Sequence, residues 1–300
     1  MRVTIAQLEA FVSVARLGTV HEASRHLNLA QPTVSLRLRD LEAAMEVRLF
    51  ERSGRNLRLS PDGAGLLEDA EAVLRNVSKL KGRANRDEIS GPFRLGVAET
   101  FAVTALPALL KRVAARHAAL RVELVIGPSP DLVRDVVEQR IDMAIAVNPQ
   151  ADARLRIVPL GVQPATWTAS PGAQLPPVIR PADVLHHPVL MNPTPYPNWH
   201  QTMSWFGTAG LEPLQVSHCN TVPSVIAHLI EAGLGIAILP TRLIEPQLRA
   251  GRLIPLDCQP ALERSILCTV RIGGEALPAH EALLSATRDV LAELELLEAL

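Results

Sequence analysis

The start of one predicted helix carries side chains that can bond to the edges of DNA bases. Gln31 can form a two-bond pair with adenine, and Thr33 can bond to several base edges or contact a thymine methyl group. Ser35 suits a short contact to a base or a phosphate. Arg37 and Arg39 follow within the next turn and are long enough to reach phosphate or guanine. These residue types predict a surface that reads double-stranded DNA.

Arginines recur in the segment that follows this helix. Arg52, Arg55 and Arg58 can clamp backbone phosphates or enter the minor groove, and such contacts add affinity to every site alike. Leu36 interrupts the polar series, so we expect it to contact a thymine methyl group rather than to form a hydrogen bond. An exposed arginine is often only solvated, so Arg39 alone is equally consistent with a surface role.

Three short helices must position these residues. Gly18 ends the first helix, Thr19 can cap the second, and a short turn leads to a third that starts near Gln31-Pro32. Two helices joined by a tight turn form a helix-turn-helix, and residues 48–59 resemble a two-stranded wing. The predicted buried face of the third helix consists of Val34, Leu38, Leu41 and Met45.

A long helix is predicted to follow the wing. Ser60-Pro61-Asp62 is a helix start signal, and we expect the helix to run to about Asn85. Its apolar residues repeat four and three apart, which defines a seam that needs a partner. The partner is either the helix's own domain or a second copy of the chain, and its position between two domains favours a dimer. The seam consists of Leu66, Ala70, Val73, Val77 and Leu80.

Strand and helix signals alternate from Gly91-Pro92 onward, which is the pattern of βαβ units around a parallel sheet. Residues 150–200 are rich in proline, and we expect a crossover with irregular connections there. A second alternating set follows over 188–255, and a helix at 278–297 closes the chain. The pattern predicts two α/β lobes with a cleft between them. The expected strands of the first lobe are Phe93–Ala98, Arg121–Ile126, Asp142–Val147 and 265–271, and its expected helices are 104–117 and 130–139.

Charge is distributed unevenly, although the chain of 300 residues has a formal net charge of only -1. Residues 1–60 carry nine Arg and Lys against six Asp and Glu, whereas residues 91–300 carry sixteen against nineteen. The first segment therefore has a local charge of +3 and the last of -3. The excess of basic residues at the amino end agrees with a DNA-binding segment.

Several protein classes are excluded by composition. No apolar run approaches the roughly 18 residues of a membrane span, and the amphipathic N-terminus is not a signal peptide. Three cysteines without CxxC spacing form neither a disulfide framework nor a zinc site. Walker, G-x-S-x-G and H-E-x-x-H motifs are missing, so we expect no catalytic residues, no metal and no enzymatic activity. The sequence indicates a cytoplasmic protein without membrane association.

The whole chain resembles the LysR-type transcriptional regulators. The most specific segments are Gln31-Pro32-Thr33-Val34-Ser35, Leu41-Glu42, Leu49-Phe50-Glu51-Arg52 and Leu59-Ser60-Pro61-Asp62-Gly63. Weaker signatures in the C-terminal part are Gly96-Val97-Ala98, Leu106-Pro107, Asp142-Met143-Ala144-Ile145 and the stretch 233–240.

This resemblance implies an α/β protein with an all-α winged helix-turn-helix at 1–60 and a linker and dimerisation helix at 61–88. A two-lobed effector domain of the periplasmic-binding-protein-like type 2 class would follow at 91–300, with lobe I at about 91–164 and 266–300 and lobe II at about 165–265. The implied partners are a dyad operator in double-stranded DNA, a small-molecule effector, RNA polymerase and the chain itself, as a homodimer and a homotetramer built as a dimer of dimers. The expected DNA-binding residues are Ser24, Gln31, Pro32, Thr33, Ser35, Leu36, Arg37, Arg39, Arg52 and Arg55.

The effector site is expected at the carboxyl ends of strands and at helix N-termini. The resemblance makes a small organic acid the default effector, and no other cofactor is implied. Glu99 stands where the family often has a small residue, and its carboxylate would repel an acid unless it points away or is paired. Helix capping alone would equally explain Thr100 and Thr221. The expected effector-binding residues are Glu99, Thr100, Phe101, Val147, Asn192, Tyr196, His218, Asn220 and Thr221.

Two alternatives stay open at this point. Some LysR-type regulators sense peroxide through two cysteines of the effector domain, and Cys258 and Cys268 have a similar separation. Both lie in short apolar segments, however, where cysteine usually acts as a small hydrophobic residue. The α/β lobes also resemble solute-binding proteins of transporters, a class that leaves residues 8–67 unexplained.

Overall fold

The structure, a computed structural model, describes residues 2–53, 56–84 and 89–300, with the backbone alone at Arg52, Ser53, Asn56, Arg75 and 78–84. The chain divides into two compact units, residues 1–87 and 88–300.

The first unit is a bundle of helices with a two-stranded hairpin. Thr4 caps the first helix in a capping box with Gln7, Gly18 ends it with a φ of 77°, and Thr19 caps the second. The hairpin strands pair antiparallel, as expected for a wing. The elements are α1 (Ile5–Leu17), α2 (Val20–His26), α3 (Gln31–Met45), β1 (Phe50–Ser53), β2 (Asn56–Leu59) and α4 (Pro61–Ala84).

The third helix is oriented by its apolar side. Val34, Leu38 and Leu41 are at most 6% exposed and pack with Phe11 of α1 in the core of the unit. Met45, which we expected on the same face, is 40% exposed. The helix ends at this residue, and Glu46 caps it in a left-handed conformation.

Hydrogen bonds fix the hairpin to the helices on either side of it. A carboxylate oxygen of Glu42 on α3 accepts the backbone N–H groups of Leu49 at 2.8 Å and Phe50 at 3.4 Å. The Ser60 hydroxyl donates to the carbonyl of Arg48 and accepts the N–H of Gly63 at 2.9 Å. The segments Leu41-Glu42 and Leu59–Gly63 therefore hold the wing and the start of α4 in place.

The beginning and the end of the second unit together build lobe I around a five-stranded sheet of order β4-β3-β5-β13-β6. Strands β3, β4 and β5 are parallel, while β13 runs antiparallel to β5 and β6. The elements of lobe I are β3 (Gly91–Val97), α5 (Glu99–Thr104), α6 (Leu106–Arg116), β4 (Leu120–Ile126), α7 (Ser129–Val137), β5 (Met143–Val147), β6 (Leu155–Gln163), β13 (Ser265–Ile272) and α11 (Pro278–Glu293).

Lobe II contains the residues between β6 and β13. Its four-stranded sheet has the order β11-β7-β12-β8, and a parallel pair, β9 and β10, adjoins it through a bridge between Val189 and Ile236. Its elements are β7 (Ala165–Ala169), β8 (Val178–Ile179), a 3-10 helix (Pro181–Val184), β9 (Val189–Met191), α8 (Pro197–Gly207), β10 (Val216–His218), α9 (Pro223–Glu231), β11 (Ala237–Pro240), α10 (Glu245–Arg249) and β12 (Ile254–Cys258).

The proline-rich segment is more regular than expected. We predicted irregular connections over 150–200, but β6, β7 and β8 all begin within it. Pro159 is accommodated because β6 is an edge strand, where a missing N–H leaves no ladder bond unmade. The expected helix at 104–117 is α6, and a short helix that was not expected, α5, precedes it from Glu99.

Among the helices of the described ranges, none combines the length and the apolar character that crossing a bilayer requires.

Candidate DNA-binding surface and effector cavity

The start of α3 presents most of the expected DNA-contacting residues to solvent. Gln31, Pro32 and Thr33 are exposed, and Ser35 is half-buried. Leu36 is 52% exposed, so an apolar side chain is also accessible there. The arrangement leaves hydrogen-bonding groups and one apolar group available on the same side of the helix.

Two expected residues are directed elsewhere. Ser24 is 5% exposed, and its hydroxyl donates to the carbonyl of His21 at 2.8 Å within α2. Arg37 is half-buried and donates from Nη1 to the carbonyl of Ala6 at 3.5 Å. Arg39 stays exposed, with its Nε 3.4 Å from the carbonyl of Ser35. In the structure Arg39 is therefore more accessible than Arg37, and the Ser24 hydroxyl is turned back onto its own helix.

The wing arginines are described in part. Arg58 on β2 is exposed. Arg55 lies outside the described residues, and the side chain of Arg52 does as well.

The predicted seam of α4 divides between two environments. Leu66 and Ala70 pack into the core of the first unit, where Ala70 is 6% exposed. Val73 is 42% exposed and Val77 is half-buried. The side chain of Leu80 lies outside the described residues. The first part of the seam is therefore used within the chain, which weakens its assignment to a dimer contact.

A cavity of about 310 Å³ lies between the two lobes of the second unit. Seven of the nine expected effector residues line it: Glu99, Thr100, Val147, Asn192, Tyr196, Asn220 and Thr221. Each lies at or shortly after the carboxyl end of a strand, or near the start of a helix, as the general rule for such lobes predicts.

Two expected residues do not line the cavity. Phe101 is 2% exposed and packs in the core of lobe I, because it lies on the inner side of α5. His218 is exposed on β10, and the side chains that reach the cavity come from the residues after this strand.

Five polar residues of the lining are absent from the expected set: Ser129, Gln163, Asn198, Gln201 and Ser265. Ser129 is the first residue of α7, and its hydroxyl accepts the N–H of Val147 at 2.9 Å. Gln163 and Ser265 pair with each other at the ends of β6 and β13, where the chain passes between the lobes. The position of Ser129 at a helix start after a strand was the available signal. Gln163 and Ser265 gave none, since their pairing joins distant segments.

Hydrogen bonds set the shape of the lobe II wall. The Asn192 amide donates from Nδ2 to the carbonyls of Cys219 at 2.8 Å and Thr221 at 2.6 Å. The Tyr196 hydroxyl donates to Oδ1 of Asn220 at 3.3 Å. Asn192 therefore holds the loop after β10 in place rather than directing its amide into the cavity.

One carboxylate joins the lobes. Oε1 of Glu99 in lobe I accepts the hydroxyl of Ser224 in lobe II at 2.5 Å, and Oε2 accepts the Ser224 backbone N–H at 3.2 Å. Ser224 is the second residue of α9. The carboxylate thus caps a helix of the opposite lobe, and we call this pair of hydrogen bonds the Glu99–Ser224 bridge.

The two cysteines of the redox alternative lie in different lobes. Cys258 lies on β12 in lobe II, and Cys268 lies on β13 in lobe I. Burial raises the pKa of Cys268 to about 11, and burial also raises the pKa of Cys258 and of Cys219 above the usual value. Because the thiolate is the form that peroxide oxidises, this arrangement does not support the redox alternative.

Metal-dependent chemistry has no ready site in the described part of the chain. Across residues 2–53, 56–84 and 89–300, no three His, Cys, Asp or Glu side chains are grouped so that they could hold a metal ion.

Comparison with known families gives two matches that together span almost the whole chain. Residues 5–64 match the bacterial regulatory helix-turn-helix protein family of the lysR type, and residues 86–292 match the LysR substrate binding domain. The first match covers most of residues 8–67, the segment that the alternative of a transporter's solute-binding protein leaves unexplained.

Individual relatives agree with these families. The regulator YeiE of Escherichia coli K12, an uncharacterized HTH-type transcriptional regulator, is 29% identical over 84% of this chain and 86% of its own. Full-length OxyR from Pseudomonas aeruginosa is similar in fold, with a TM-score of 0.69 at 18% identity over 96% of this chain and 95% of that one. CbnR in complex with its target DNA has a TM-score of 0.67 at 18% identity, over 96% and 99% of the two chains.

The winged helix-turn-helix, the two-lobed α/β unit and both family matches lead to one conclusion. The chain belongs to the LysR family and is a DNA-binding transcriptional regulator with an effector-binding domain.

Proposed function

We propose that this regulator reads its operator with the exposed start of α3. Gln31 and Thr33 would contact base edges in the major groove, and Leu36 would contact a thymine methyl group. The observation that carries this proposal is the exposure of all three side chains on a helix whose rotation is fixed by Val34 and Leu38.

The wing supplies contacts of a different kind. Arg58 is exposed on β2, and β1 is joined to α3 through Glu42. A guanidinium held at a fixed distance from the recognition helix can reach backbone phosphate while the helix lies in the groove. We assign Arg58 to affinity and Gln31 to sequence choice.

The regulator acts as an oligomer in this proposal. One copy offers few phosphate contacts, whereas two copies read a dyad with half-sites about one helical turn apart. Val73 and Val77 on α4 remain available for a dimer contact, and the family relationship favours a dimer of dimers. The assembly would work in the cytoplasm and contact RNA polymerase.

A small-molecule effector would occupy the cavity between the lobes. The lining comes from both lobes, so a bound molecule favours one arrangement of the lobes over another. The effector must bind one arrangement better, because equal affinity for both shifts no population. The favoured arrangement would change how two DNA-binding units are presented to the dyad.

The DNA-binding assignment is tested by selecting bound sequences from random duplex DNA. We expect Gln31→Ala to relax base preference at one position of each half-site, with a cost of about 1–3 kcal/mol at the preferred base. Arg58→Ala should weaken binding to all sequences and lower the salt dependence by about one phosphate contact. Arg288→Ala is the matched control, because Arg288 is exposed on α11 in the second unit.

Two results would contradict the assignment. Unchanged base preference in Gln31→Ala would exclude this residue from base reading. An equal loss of affinity in Arg58→Ala and Arg288→Ala would show that the wing arginine acts only through net charge.

A further inference from the structure

The cavity between the lobes is lined by one charged side chain, and that side chain is acidic. Glu99 is the single Asp, Glu, Lys, Arg or His among the residues that line it, all of which lie in the described range 89–300. The remaining lining residues are apolar or carry hydroxyl and amide groups. An acid that entered the cavity would therefore find no basic side chain to replace its hydration, and it would be repelled by Glu99.

The start of α9 is one place for an anion at the cavity, and it is occupied. A helix N-terminus favours negative charge because its first N–H groups are unpaired and its dipole is positive there. In this chain the Glu99 carboxylate takes that place, with one oxygen on the Ser224 N–H and the other on the Ser224 hydroxyl. The carboxylate belongs to the opposite lobe, and Glu99 is 125 residues from Ser224 along the chain.

The remaining polar groups favour ligands without negative charge. Thr100, Ser129, Gln163 and Ser265 are each at most 9% exposed and all line the cavity. Hydroxyl and amide groups can both donate to and accept from an uncharged polar molecule. A cation would add Coulomb attraction to Glu99, because opposite charges attract strongly in a partly dehydrated site.

We propose that Glu99 determines the effector class: its carboxylate holds the anion position at α9, and the effector is a neutral polar or cationic small molecule. The proposal rests on the effector role of the cavity given above. It departs from the organic acid that the family relationship alone suggests.

The first experiment tests whether Glu99 fills an anion position. Glu99→Ala removes the carboxylate, and acetate is the probe that can replace it at the start of α9. Thermal unfolding of the full chain is followed by tryptophan fluorescence at constant ionic strength, with chloride exchanged for acetate. The fluorescence reports on the second unit, because Trp167, Trp199 and Trp205 are the chain's three tryptophans.

We expect acetate to raise the unfolding temperature of Glu99→Ala in a saturable manner and to leave the wild type unchanged. Glu281→Ala is the matched control, since Glu281 is an exposed carboxylate in the first turn of α11 and distant from the cavity lining. The same acetate response in all three proteins would overturn the proposal. Glu99→Gln keeps the side-chain size and provides a second variant if Glu99→Ala does not fold.

The second experiment tests the effector class directly. Benzoate, benzamide and benzylamine, together with the acid, amide and amine of small aliphatic skeletons, are titrated into the wild type and Glu99→Gln. We expect the wild-type ligands to be amides or amines. In Glu99→Gln the amines should bind at least tenfold more weakly and the acids at least tenfold more tightly.

The outcomes separate the inference from the proposed function. An acid that binds the wild type more tightly than its amide does, with no change in Glu99→Gln, overturns the role of Glu99. If no member of any charge class binds the wild type while the acetate response of Glu99→Ala is present, the effector role of the cavity fails. In that case the occupation of α9 by Glu99 remains supported.

Discussion

Replacing Gly63 by alanine should damage the first unit, because the chain passes unusually close to this residue. A Cβ atom at Gly63 would lie 2.1 Å from the carbonyl oxygen of Leu49 and 2.9 Å from its carbonyl carbon. A comfortable C···O separation is about 3.3 Å, so Leu49 or the start of α4 would have to move by about 1 Å. Gly63 is therefore required by close approach and not by its backbone angles.

Leu49 is poorly placed to move. Its side chain is 1% exposed, its N–H is held by Glu42 at 2.8 Å, and its carbonyl accepts the N–H of Ser60 at 3.0 Å. Forcing a carbon into such a site costs roughly 1–3 kcal/mol, and a weakened hydrogen bond adds about 1 kcal/mol. The better helix propensity of alanine offsets about 0.5–1 kcal/mol of this loss in the free energy of unfolding. We expect a net loss of about 2 kcal/mol in the free energy of unfolding of this unit.

Gly65 provides an internal control two residues further along α4. A Cβ atom there would meet no atom within 4 Å, so Gly65→Ala should stabilise the helix by about 0.5–1 kcal/mol. Scanning calorimetry of the full chain, with hydrogen exchange to assign the transitions, should show Gly63→Ala lowering the first unit's Tm by about 10 °C. Shifts of the same sign and size for both variants would refute the steric argument.

Three further predictions concern buried polar groups. Thr287 is fully buried and its hydroxyl has no hydrogen-bond partner, so Thr287→Val should raise the free energy of unfolding of the second unit by about 1 kcal/mol in urea denaturation. Glu42→Gln keeps an acceptor for the Leu49 N–H, so it should lower the free energy of unfolding of the first unit by about 1 kcal/mol. Glu42→Ala removes the acceptor and should lower it by about 2–3 kcal/mol, both measured by calorimetry. Equal losses in the two variants would exclude the hydrogen bonds as the cause. Cys268, with its pKa raised to about 11, should be alkylated at pH 8 at least tenfold more slowly in the folded than in the urea-unfolded chain. Because the unfolded thiol ionises first, near pH 9, the wild type should lose stability relative to Cys268→Ala as the pH rises from 9 to 11.

The helical bundle of the first unit follows closely from local signals. Val34, Leu38 and Leu41 repeat at helical spacing and are buried, and the caps at Thr19 and Ser60 are read directly from residue type. Met45 departs from the pattern because periodicity does not show where a core ends. The close approach of Gly63 to Leu49 is likewise a tertiary fact, since an isolated helix tolerates either residue.

The cavity was predictable to the extent that it follows a rule of chain topology. Thr100 and Thr221 lie near strand ends, so their position near the ligand site could be inferred without coordinates. Gln163 and Ser265 could not, because β6 and β13 are paired across about a hundred residues of lobe II. The sequence also raised the question of how the Glu99 charge is compensated, and the answer, Ser224, depends on the packing of two lobes.

The hydrogen bonds from Glu42 to the wing bear on how operators of this regulator can evolve. They tie β1 to α3, so the groups that we propose for base reading and for phosphate contact keep a fixed separation. One inserted base pair turns the duplex by about 35° and would move one set of contacts out of reach of the other. A base change, by contrast, affects a single contact. Half-sites can therefore drift by substitution at small cost, while insertions and deletions within them abolish recognition in one step.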